Sequence, residues 1–422
     1  MSAEANVLTG GIHAEPIATP AAYVPAPLSE AELEISVVMP CLNEIGAIHR
    51  CVEKAWQVIH ANNLRGEVVV ADNGSTDGSI EAAQAAGARV VHQPLRGYGH
   101  AYMKGMEEAH GRYILMADAD NTYDFGDLPK FLALLRQGYD VVMGNRFRGK
   151  IYPGAMPWSH RYIGNPILSG LLNLFFHTGV GDAHSGMRAC TKDAYAKMRL
   201  QTGGMEFASE MVINAAKAGL KMTEVPINYY QREGESKLDS VRDGWRHLRF
   251  MLLYSPTHLY FWPGATMMLI GLALLVVLNL GPVSLLGVRI GFPFLFVGSL
   301  LAILGFQIIS LGFFARLYSL TSHIDVSSDS VVGFFTGHFR METGIFSGLA
   351  MFTLGAGVFL FALLTSEPTD PLGLPLRLTL ISAVKLAILA LTLAVIGAQV
   401  VFTSFFVSMM VIKRSGWEQL PG

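Results

Sequence analysis

The sequence predicts a mainly parallel α/β sheet domain followed by four transmembrane helices. Between residues 35 and 237, short β-branched apolar runs alternate with helical stretches, which is the pattern of a doubly wound sheet. Residues 263–412 consist mainly of apolar runs long enough to cross a bilayer, and 51% of all 422 residues are hydrophobic. Unusual polar residues follow several predicted strands, at the sheet edge where parallel α/β domains bind ligands.

The composition also narrows the classes of partner. A net charge of −2 gives none of the overall basicity that nucleic-acid binding favours, so we expect no nucleic-acid partner. The three cysteines form no C-x-x-C pair and fit a reducing compartment. Residues 1–34 are rich in Ala, Pro and Glu and lack the basic and apolar regions of a secretory signal, so we expect a disordered tail there.

The strands are predicted from nearly continuous apolar runs, which suit burial on both faces of a sheet. These runs are ISVVMP (35–40), EVVVAD (67–72), ARVVHQ (88–93), YILMAD (113–118), YDVVMGN (139–145) and KMTEVPINYY (221–230). Helices are expected to start near residues 46, 76, 98 and 125, and to cover residues 158–178 and 205–218. Together they form the sheet domain, residues 35–237.

Residues 238–262 are predicted to form an interfacial amphipathic segment. Its helix, 241–254, mixes basic with aromatic and apolar residues just before an apolar run, which is typical of the membrane interface. The alternative is a soluble amphipathic helix that packs on the domain. Four spans then begin near residues 263, 292, 344 and 386, the last ending at residue 412. Their even number places the domain and the tail 413–422 on one side, and the basic residues of both favour the cytoplasm.

The stretch MADADNTYD (116–124) places three carboxylates, Asp118, Asp120 and Asp124, where a buried strand leaves the core. Such carboxylates repel each other and are costly to desolvate unless they are paired or bind a cation. One interpretation is a polar turn that caps a helix. The other is a site for Mg²⁺ or Mn²⁺, which prefer carboxylate oxygens and keep substrate phosphates as further ligands.

Further motifs stand at other strand ends and in the later loops. They are PCLNE (40–44), ADNGSTDGS (71–79), GNRF (144–147), GDAHSGMRA (181–189) and REGESK (232–237). Each alone fits turn or capping chemistry. In this order, and with the DAD triplet, they resemble the family 2 glycosyltransferases, and most closely the polyprenyl-phosphate type, the dolichyl-phosphate mannose or glucose synthases. The resemblance runs from Ile35 to about Pro263.

The resemblance implies a GT-A (Rossmann-like) fold and inverting transfer of one sugar from a nucleotide sugar, of the UDP-glucose or GDP-mannose type, to a polyprenyl phosphate. It assigns a donor site whose residues are Pro40, Asn43, Glu44, Asp72, Gly74, Ser75 and Asp118. Asp118, Asp120 and Arg146 would act in catalysis, with Asp120 as the ligand of Mg²⁺ or Mn²⁺. Two residues depart from the family pattern, since Asn73 replaces a common Asp and Thr122 a common Gln. Either Thr122 substitutes weakly at the metal, or Asp124 supplies an oxygen.

The resemblance also implies an acceptor-phosphate site. Its residues would be Arg146, Arg161, Asn165, Arg232, Ser236 and Lys237. Arginine suits phosphate because its planar fork bonds bidentately, although a surface arginine often serves solubility alone. The glycine-bracketed loop 181–189 places Asp182, Ser185 and Arg188 nearby, where an Asp–Arg pair could simply pin the loop.

The implied reaction needs no strong base, because a monophosphate acceptor is already largely ionised at neutral pH. It needs a metal at the departing diphosphate and a fixed in-line geometry. Two other functions stay open. A processive polysaccharide synthase usually has a Q-x-x-R-W motif, which this sequence lacks. A sugar-lipid transporter or flippase with a degenerate transferase domain would need polar groups along its path, and the spans are almost free of charge.

Overall fold

The structure is a computed structural model that describes residues 32–233, 240–285, 288–321, 341–365 and 379–415. Most of the predicted tail, residues 1–34, lies outside the described residues. So do the predicted phosphate ligands Ser236 and Lys237 and the end of the C-terminal tail.

Seven strands of the N-terminal part form one mixed sheet. They are β1 (Ile35–Cys41), β2 (Gly66–Asp72), β3 (Arg89–His92), β4 (Tyr113–Met116), β5 (Val141–Asn145), β6 (Arg188–Thr191) and β7 (Met222–Pro226). Their order is β3-β2-β1-β4-β6-β5-β7, and β6 alone runs opposite to the other six. The predicted mainly parallel sheet is therefore confirmed, with one antiparallel strand that the sequence did not reveal.

The strands are apolar because both faces of the sheet are covered. In β1, Val37 and Met39 pack into the core on one face, whereas Val38 packs into the core on the other. The parallel register aligns the strand ends, since Cys41 lies opposite Asp72 and the backbone N–H of Ala117 donates to the Val38 carbonyl. The loops after β1, β2 and β4 consequently leave the same edge of the sheet.

Eight helices accompany the sheet within the described residues. They are α1 (Ile48–Ala61), α2 (Ser79–Ala85), α3 (Tyr98–Glu108), α4 (Leu128–Arg136), α5 (Asn165–Phe176), α6 (Lys192–Met198), α7 (Phe207–Lys217) and α8 (Ser240–Leu253). A 3₁₀ turn, Phe125–Asp127, precedes α4, and a π-helical turn, His160–Gly164, precedes α5. Helices α1, α2 and α4 cover one face, and α3, α5, α6, α7 and α8 cover the other. The short helix α6 was not predicted.

Four long apolar helices occur among the described residues of the C-terminal part. A π-helical turn, Thr257–Phe261, leads into α9 (Trp262–Leu280), which a short hairpin of β8 (Val283–Leu285) and β9 (Val288–Ile290) follows. The remaining helices are α10 (Pro293–Thr321), α11 (Met341–Leu364) and α12 (Leu380–Ser415). All four are long and apolar enough to cross a membrane, as predicted.

The four helices pack as two close pairs. A Cβ atom on Gly271 of α9 would lie 2.4 Å from the Ala302 backbone of α10, and one on Gly355 of α11 would lie 2.6 Å from the Ala390 carbonyl of α12. Such small residues allow helix backbones to approach, which stabilises packing in a bilayer. The Lys385 ammonium of α12 donates to the Leu278 carbonyl near the end of α9, at 2.9 Å.

Candidate functional site

The loops after β1 and β2 are bonded to each other at the sheet edge. Asn43 adopts a left-handed φ of 54°, which asparagine tolerates better than most residues. Its backbone N–H donates to Ser75 Oγ at 3.0 Å, and its Oδ1 accepts from the Thr76 N–H at 2.8 Å. The Glu44 N–H donates to Ser79 Oγ at 2.9 Å. The motifs PCLNE and DNGSTDGS therefore form one wall of a shared site.

Asp72 organises the second of these loops. Its buried carboxylate accepts hydrogen bonds from the N–H groups of Gly74 and Ser75, each at 3.0 Å, and lies 3.1 Å from His92 Nδ1. Desolvation would raise the pKa of Asp72, but the hydrogen bonds from Ser75, Gly74 and His92 outweigh it and lower the pKa below its ordinary value. Asp72 is thus an anion held rigidly at the end of β2.

Asn73, where the family commonly has Asp, has a structural role. Its Nδ2 donates to the carbonyls of Gln93 and Leu95 at 3.0 and 2.7 Å, and its Oδ1 accepts from the Gly97 N–H at 2.7 Å. An aspartate has no donor for those two carbonyls. The amide therefore joins the end of β2 to the loop that precedes α3.

Asp118 follows β4 and faces two tyrosines. The hydroxyls of Tyr98 and Tyr102 both donate to Asp118 Oδ1 at 3.0 Å. Burial, with repulsion from Asp120 as the second cause, raises the pKa of Asp118 to about 6. On its other side the carboxylate lies against Gly186, where a Cβ atom would come within 2.2 Å of Asp118 Oδ2.

Asp120 is buried and has a different partner on each oxygen. Its Oδ1 accepts from the Thr122 hydroxyl at 2.5 Å and from the Thr122 N–H at 3.1 Å. Its Oδ2 lies 3.5 Å from Arg232 Nη1, and Arg232 Nη2 donates to Glu44 Oε1 at 2.8 Å. Arg232, which the resemblance assigned to the acceptor phosphate, therefore lies between Glu44 of the predicted donor site and the predicted metal ligand Asp120.

Asp124 is placed as a helix cap. Its carboxylate is exposed, and Oδ1 accepts from the Gly126 N–H at 2.9 Å at the start of the 3₁₀ turn. This matches the capping interpretation of the third aspartate, whereas Asp118 and Asp120 face the interior of the site. Thr122 binds Asp120 directly, so its hydroxyl orients the carboxylate.

The oxygen ligands at this edge fit a divalent cation that shares its coordination with a substrate. No group of three or more His, Cys, Asp or Glu side chains that could hold a metal occurs among the described residues. Glu44 and Asp120, however, already converge on one positive charge, that of Arg232. Mg²⁺ is commonly bound by one or two carboxylates together with substrate phosphates, and the donor set here is of that kind.

Arg146 forms a buried ion pair with Asp182. Its Nε and Nη2 donate to the two carboxylate oxygens at 2.7 and 2.8 Å, and its guanidinium lies 5.0 Å from the centre of the Tyr229 ring. Burial alone would lower the pKa of Arg146, but Asp182 raises it well above the ordinary value. Asp182 thus pairs with Arg146 rather than with Arg188, and the Arg146 hydrogens that Asp182 leaves available are those of Nη1 and the second hydrogen of Nη2.

Arg188 lies in β6 rather than in the loop, and it binds backbone carbonyls. Its guanidinium donates to the carbonyl of Ser185 at 2.6 and 3.0 Å and to that of Ala208 at 3.1 Å. The Gly186 N–H donates to the Tyr123 hydroxyl at 2.7 Å. These bonds hold the loop rigidly between Asp118 and Arg146.

Arg161 lies on an apolar surface at the start of the π-helical turn and α5. Its guanidinium is 5.3 Å from the centre of the Tyr162 ring, and the described residues include no ion-pair partner for it. Large apolar side chains are exposed along this π-helical turn and α5, namely Trp158, Tyr162, Ile163, Ile167 and Leu174. At the end of α5, Phe175 stacks on His258, just before α9, with ring centres 4.5 Å apart. Asn165 begins α5, and its Nδ2 contacts Met156 Sδ at 3.8 Å.

A buried polar contact that sequence reasoning missed joins α8 to the loop between Asp182 and Gly186. Ser209 Oγ of α7 lies 2.8 Å from His247 Nδ1 of α8 and 3.2 Å from His184 Nε2 of the loop. Burial lowers the pKa of His247 to about 4. The charged groups that also act on it are Glu206, Asp243 and Arg188. The other residues of α8 divide between the domain core, where Phe250 and Met251 pack, and an exposed side that bears Trp245.

Comparison with known proteins agrees with this architecture. Residues 36–199 match the family model described as glycosyl transferase family 2, and residues 313–411 match the glycosyltransferase family 2 C-terminal transmembrane region. A glucosyl-3-phosphoglycerate synthase from Mycobacterium tuberculosis, crystallised with Mn²⁺ and UDP, is 22% identical over 54% of this chain and 81% of its own, with a TM-score of 0.44.

Two relatives from Haloferax volcanii are more similar in sequence. The low-salt glycan biosynthesis hexosyltransferase Agl6 is 40% identical over 380 residues, which cover 89% of each chain. A dolichyl-phosphate hexose transferase is 35% identical over 213 residues, which cover 50% of this chain and 89% of the relative. With its mainly parallel sheet, its carboxylate-lined strand edge and the four apolar helices of its described residues, the chain belongs to glycosyltransferase family 2 and is an integral membrane glycosyltransferase related to the dolichyl-phosphate hexose transferases.

Proposed function

We propose that this enzyme transfers one hexose, with inversion, from a nucleotide sugar to a polyprenyl phosphate at the cytoplasmic face of the membrane. The observation on which this rests most is the position of Glu44, Asp72, Asp118 and Asp120 on one edge of the sheet, after strands β1, β2 and β4. Helix α8, which packs with α5 on one face of the same sheet, leads through Thr257–Phe261 to the first span.

The donor end of the site is assigned to the wall formed by the first two loops. The rigid Asp72 carboxylate, the exposed Asn43 and the neighbouring Glu44 carboxylate suit hydrogen bonding to a base or a ribose. Asp118, fixed by its two tyrosines, lies closer to the loop before β6 and is assigned to the sugar. Asp120 is assigned to a Mg²⁺ or Mn²⁺ ion, which when bound would offset the negative charge of the departing diphosphate.

The acceptor end is assigned to Arg161, because its guanidinium lies beside the exposed aromatic side chains of Trp158 and Tyr162. Aromatic residues are typical of the membrane interface, so a lipid phosphate could meet Arg161 within the headgroup layer. Asn165 begins the helix that follows Arg161 and is assigned to the same phosphate. Arg146 is assigned a second contact, through the edge of its guanidinium that Asp182 leaves available.

The number of spans among the described residues supports the cytoplasmic orientation. Four spans return the chain to its starting side, so the domain and Lys413–Arg414 share one face of the membrane. Basic residues beside spans favour the cytoplasmic side. The same relatives support a dolichyl-type acceptor, since one is named a dolichyl-phosphate hexose transferase.

The direct test is transfer by the purified full-length protein in lipid nanodiscs. Radiolabelled UDP-glucose, GDP-mannose and related donors are supplied with polyprenyl phosphate, and the label in the extracted lipid is counted and sized. We expect one donor to label the lipid with a single hexose. Repeated addition of sugar would favour a processive synthase instead, and no labelling with any donor would count against the proposal.

Arg161→Ala tests the acceptor assignment. A hydrogen bond to a charged group contributes about 1.5–3 kcal/mol, so the KM for polyprenyl phosphate should rise about tenfold or more while the donor KM stays unchanged. Arg136→Ala, on α4 across the sheet, is the matched control and should leave both constants unchanged. A rise in the donor KM alone would move Arg161 to the diphosphate, and no change would remove it from the site.

A further inference from the structure

Arg232 is the cation that the structure places among the donor-site carboxylates. Its Nη2 is 2.8 Å from Glu44 Oε1 and its Nη1 is 3.5 Å from Asp120 Oδ2. The three side chains are only 25%, 13% and 9% exposed, respectively, so solvent screens these contacts weakly. Arg232 Nε is buried and has no hydrogen-bond partner among the described residues. The two carboxylates therefore account for the position of the guanidinium.

The backbone around Arg232 is hydrogen-bonded to the loop that follows β4. The Tyr230 N–H donates to the Thr122 carbonyl at 3.0 Å, and the Glu233 N–H donates to the Asp120 carbonyl at 3.1 Å. These two bonds lie on either side of Arg232 in sequence. The guanidinium is thus held at Asp120 by its own segment as well as by its charge.

Only one oxygen of Asp120 is suited to bind a metal. Oδ1 already accepts two hydrogen bonds from Thr122, whereas Oδ2 faces Arg232. A metal ion that binds through Oδ2 would come close to the Arg232 guanidinium. The two positive charges would repel each other. Metal binding at Asp120 is therefore disfavoured while Arg232 keeps this position.

We propose that Arg232 serves as the resident cation of the donor site and that metal and nucleotide together displace it from Asp120. This inference rests on the proposed function, because it takes Asp120 as the metal ligand. After displacement the guanidinium lies beside the incoming diphosphate, with which its planar fork can pair. Metal binding is consequently weak in the absence of nucleotide and strong in its presence, so the two bind in a coupled step.

The test measures Mn²⁺ binding by the full-length protein in detergent, using calorimetry and the electron paramagnetic resonance signal of free Mn²⁺. Without nucleotide, Arg232→Gln should bind Mn²⁺ about tenfold more tightly than the wild type, since the competing charge is gone. Arg232→Lys, which keeps the positive charge but lacks the planar fork of two nitrogens, should show a smaller gain. Adding UDP or GDP should strengthen Mn²⁺ binding less in Arg232→Gln than in the wild type.

Lys54→Gln is the matched control. Lys54 donates to Asn121 Oδ1 at 2.6 Å, so its loss removes a neighbouring positive charge without removing either contact of Arg232. Its Mn²⁺ affinity should stay within about twofold of the wild type, which is the change expected from an exposed charge. An equal gain in Lys54→Gln would overturn the inference, because general electrostatics would then account for the effect.

Asp120→Ala separates this inference from the proposed function. If Asp120→Ala abolishes Mn²⁺ binding while both Arg232 variants bind as the wild type does, the resident-cation inference is wrong and the metal site stands. If Asp120→Ala binds Mn²⁺ normally, the metal assignment of the proposed function is wrong. Thermal unfolding of each variant identifies any variant that fails to fold. If Arg232→Gln fails to fold, the Mn²⁺ affinity of Arg232→Lys relative to the wild type tests the inference instead.

Discussion

Gly186→Ala should disable the site while leaving the fold intact. The added methyl group would lie 2.2 Å from Asp118 Oδ2, whereas real Cβ contacts essentially never fall below 3.0 Å. Asp118 would have to retreat by about 0.8 Å to reach that limit. It cannot do so freely, because Tyr98 and Tyr102 hold its other oxygen at 3.0 Å. The backbone φ of Gly186 is not in the left-handed region, so the clash with the side chain is the main effect.

The expected loss follows from that displacement. A misplacement of about 1 Å at a reacting centre can lower the rate by roughly 10²-fold. The overpacking itself should cost about 1–3 kcal/mol of stability, which lowers the melting temperature modestly. Transfer of radiolabelled hexose to polyprenyl phosphate, measured beside thermal unfolding of the same preparation, distinguishes the two effects.

Gly170→Ala is the matched control, since a Cβ atom on Gly170 of α5 meets no atom within 4 Å. We expect its transfer rate to equal that of the wild type, and its melting temperature to be equal or slightly higher, because alanine is favoured over glycine inside a helix by roughly 0.5–1 kcal/mol. If Gly186→Ala transfers hexose at a rate within about threefold of Gly170→Ala, then Asp118 is not held as the contacts indicate, and the assignment of Asp118 to the donor sugar loses its structural basis.

Two further predictions concern stability. Asn73→Asp, which restores the common family residue, should destabilise the domain by about 1–3 kcal/mol because two backbone carbonyls lose their donor; an unchanged melting temperature would contradict the role of the amide. The folded structure lowers the pKa of His247 to about 4. Between pH 6.5 and 4 the unfolded chain therefore binds more protons at this residue than the folded chain does. The free energy of unfolding should consequently decrease as the pH falls through that window. The loss attributable to His247 is at most about 3 kcal/mol, and His247→Gln should make the melting temperature less dependent on pH; an unaltered dependence would show that other groups cause it.

The sheet, the four spans and the polar strand ends could be predicted because their signals are local. An apolar run such as that of β1 is readable within seven residues, and a span within about twenty. The strand β6 was missed because it has no such local signal. Its four residues include the buried Arg188. In the sheet, β6 lies between β4 and β5 and runs antiparallel to both, which only the tertiary structure shows.

The sequence by itself determined which residue types stand at the carboxyl ends of the strands, and hence the class of chemistry. The tertiary structure alone decided which of them are partners. Arg232 and Glu44 are 188 residues apart, and Arg146 and Asp182 are 36 apart, so no local pattern could assign these pairs. The order of the strands in the sheet brings such groups together. In a partly buried site, each charged group pairs with a nearby group of opposite charge because an unpaired buried charge is costly.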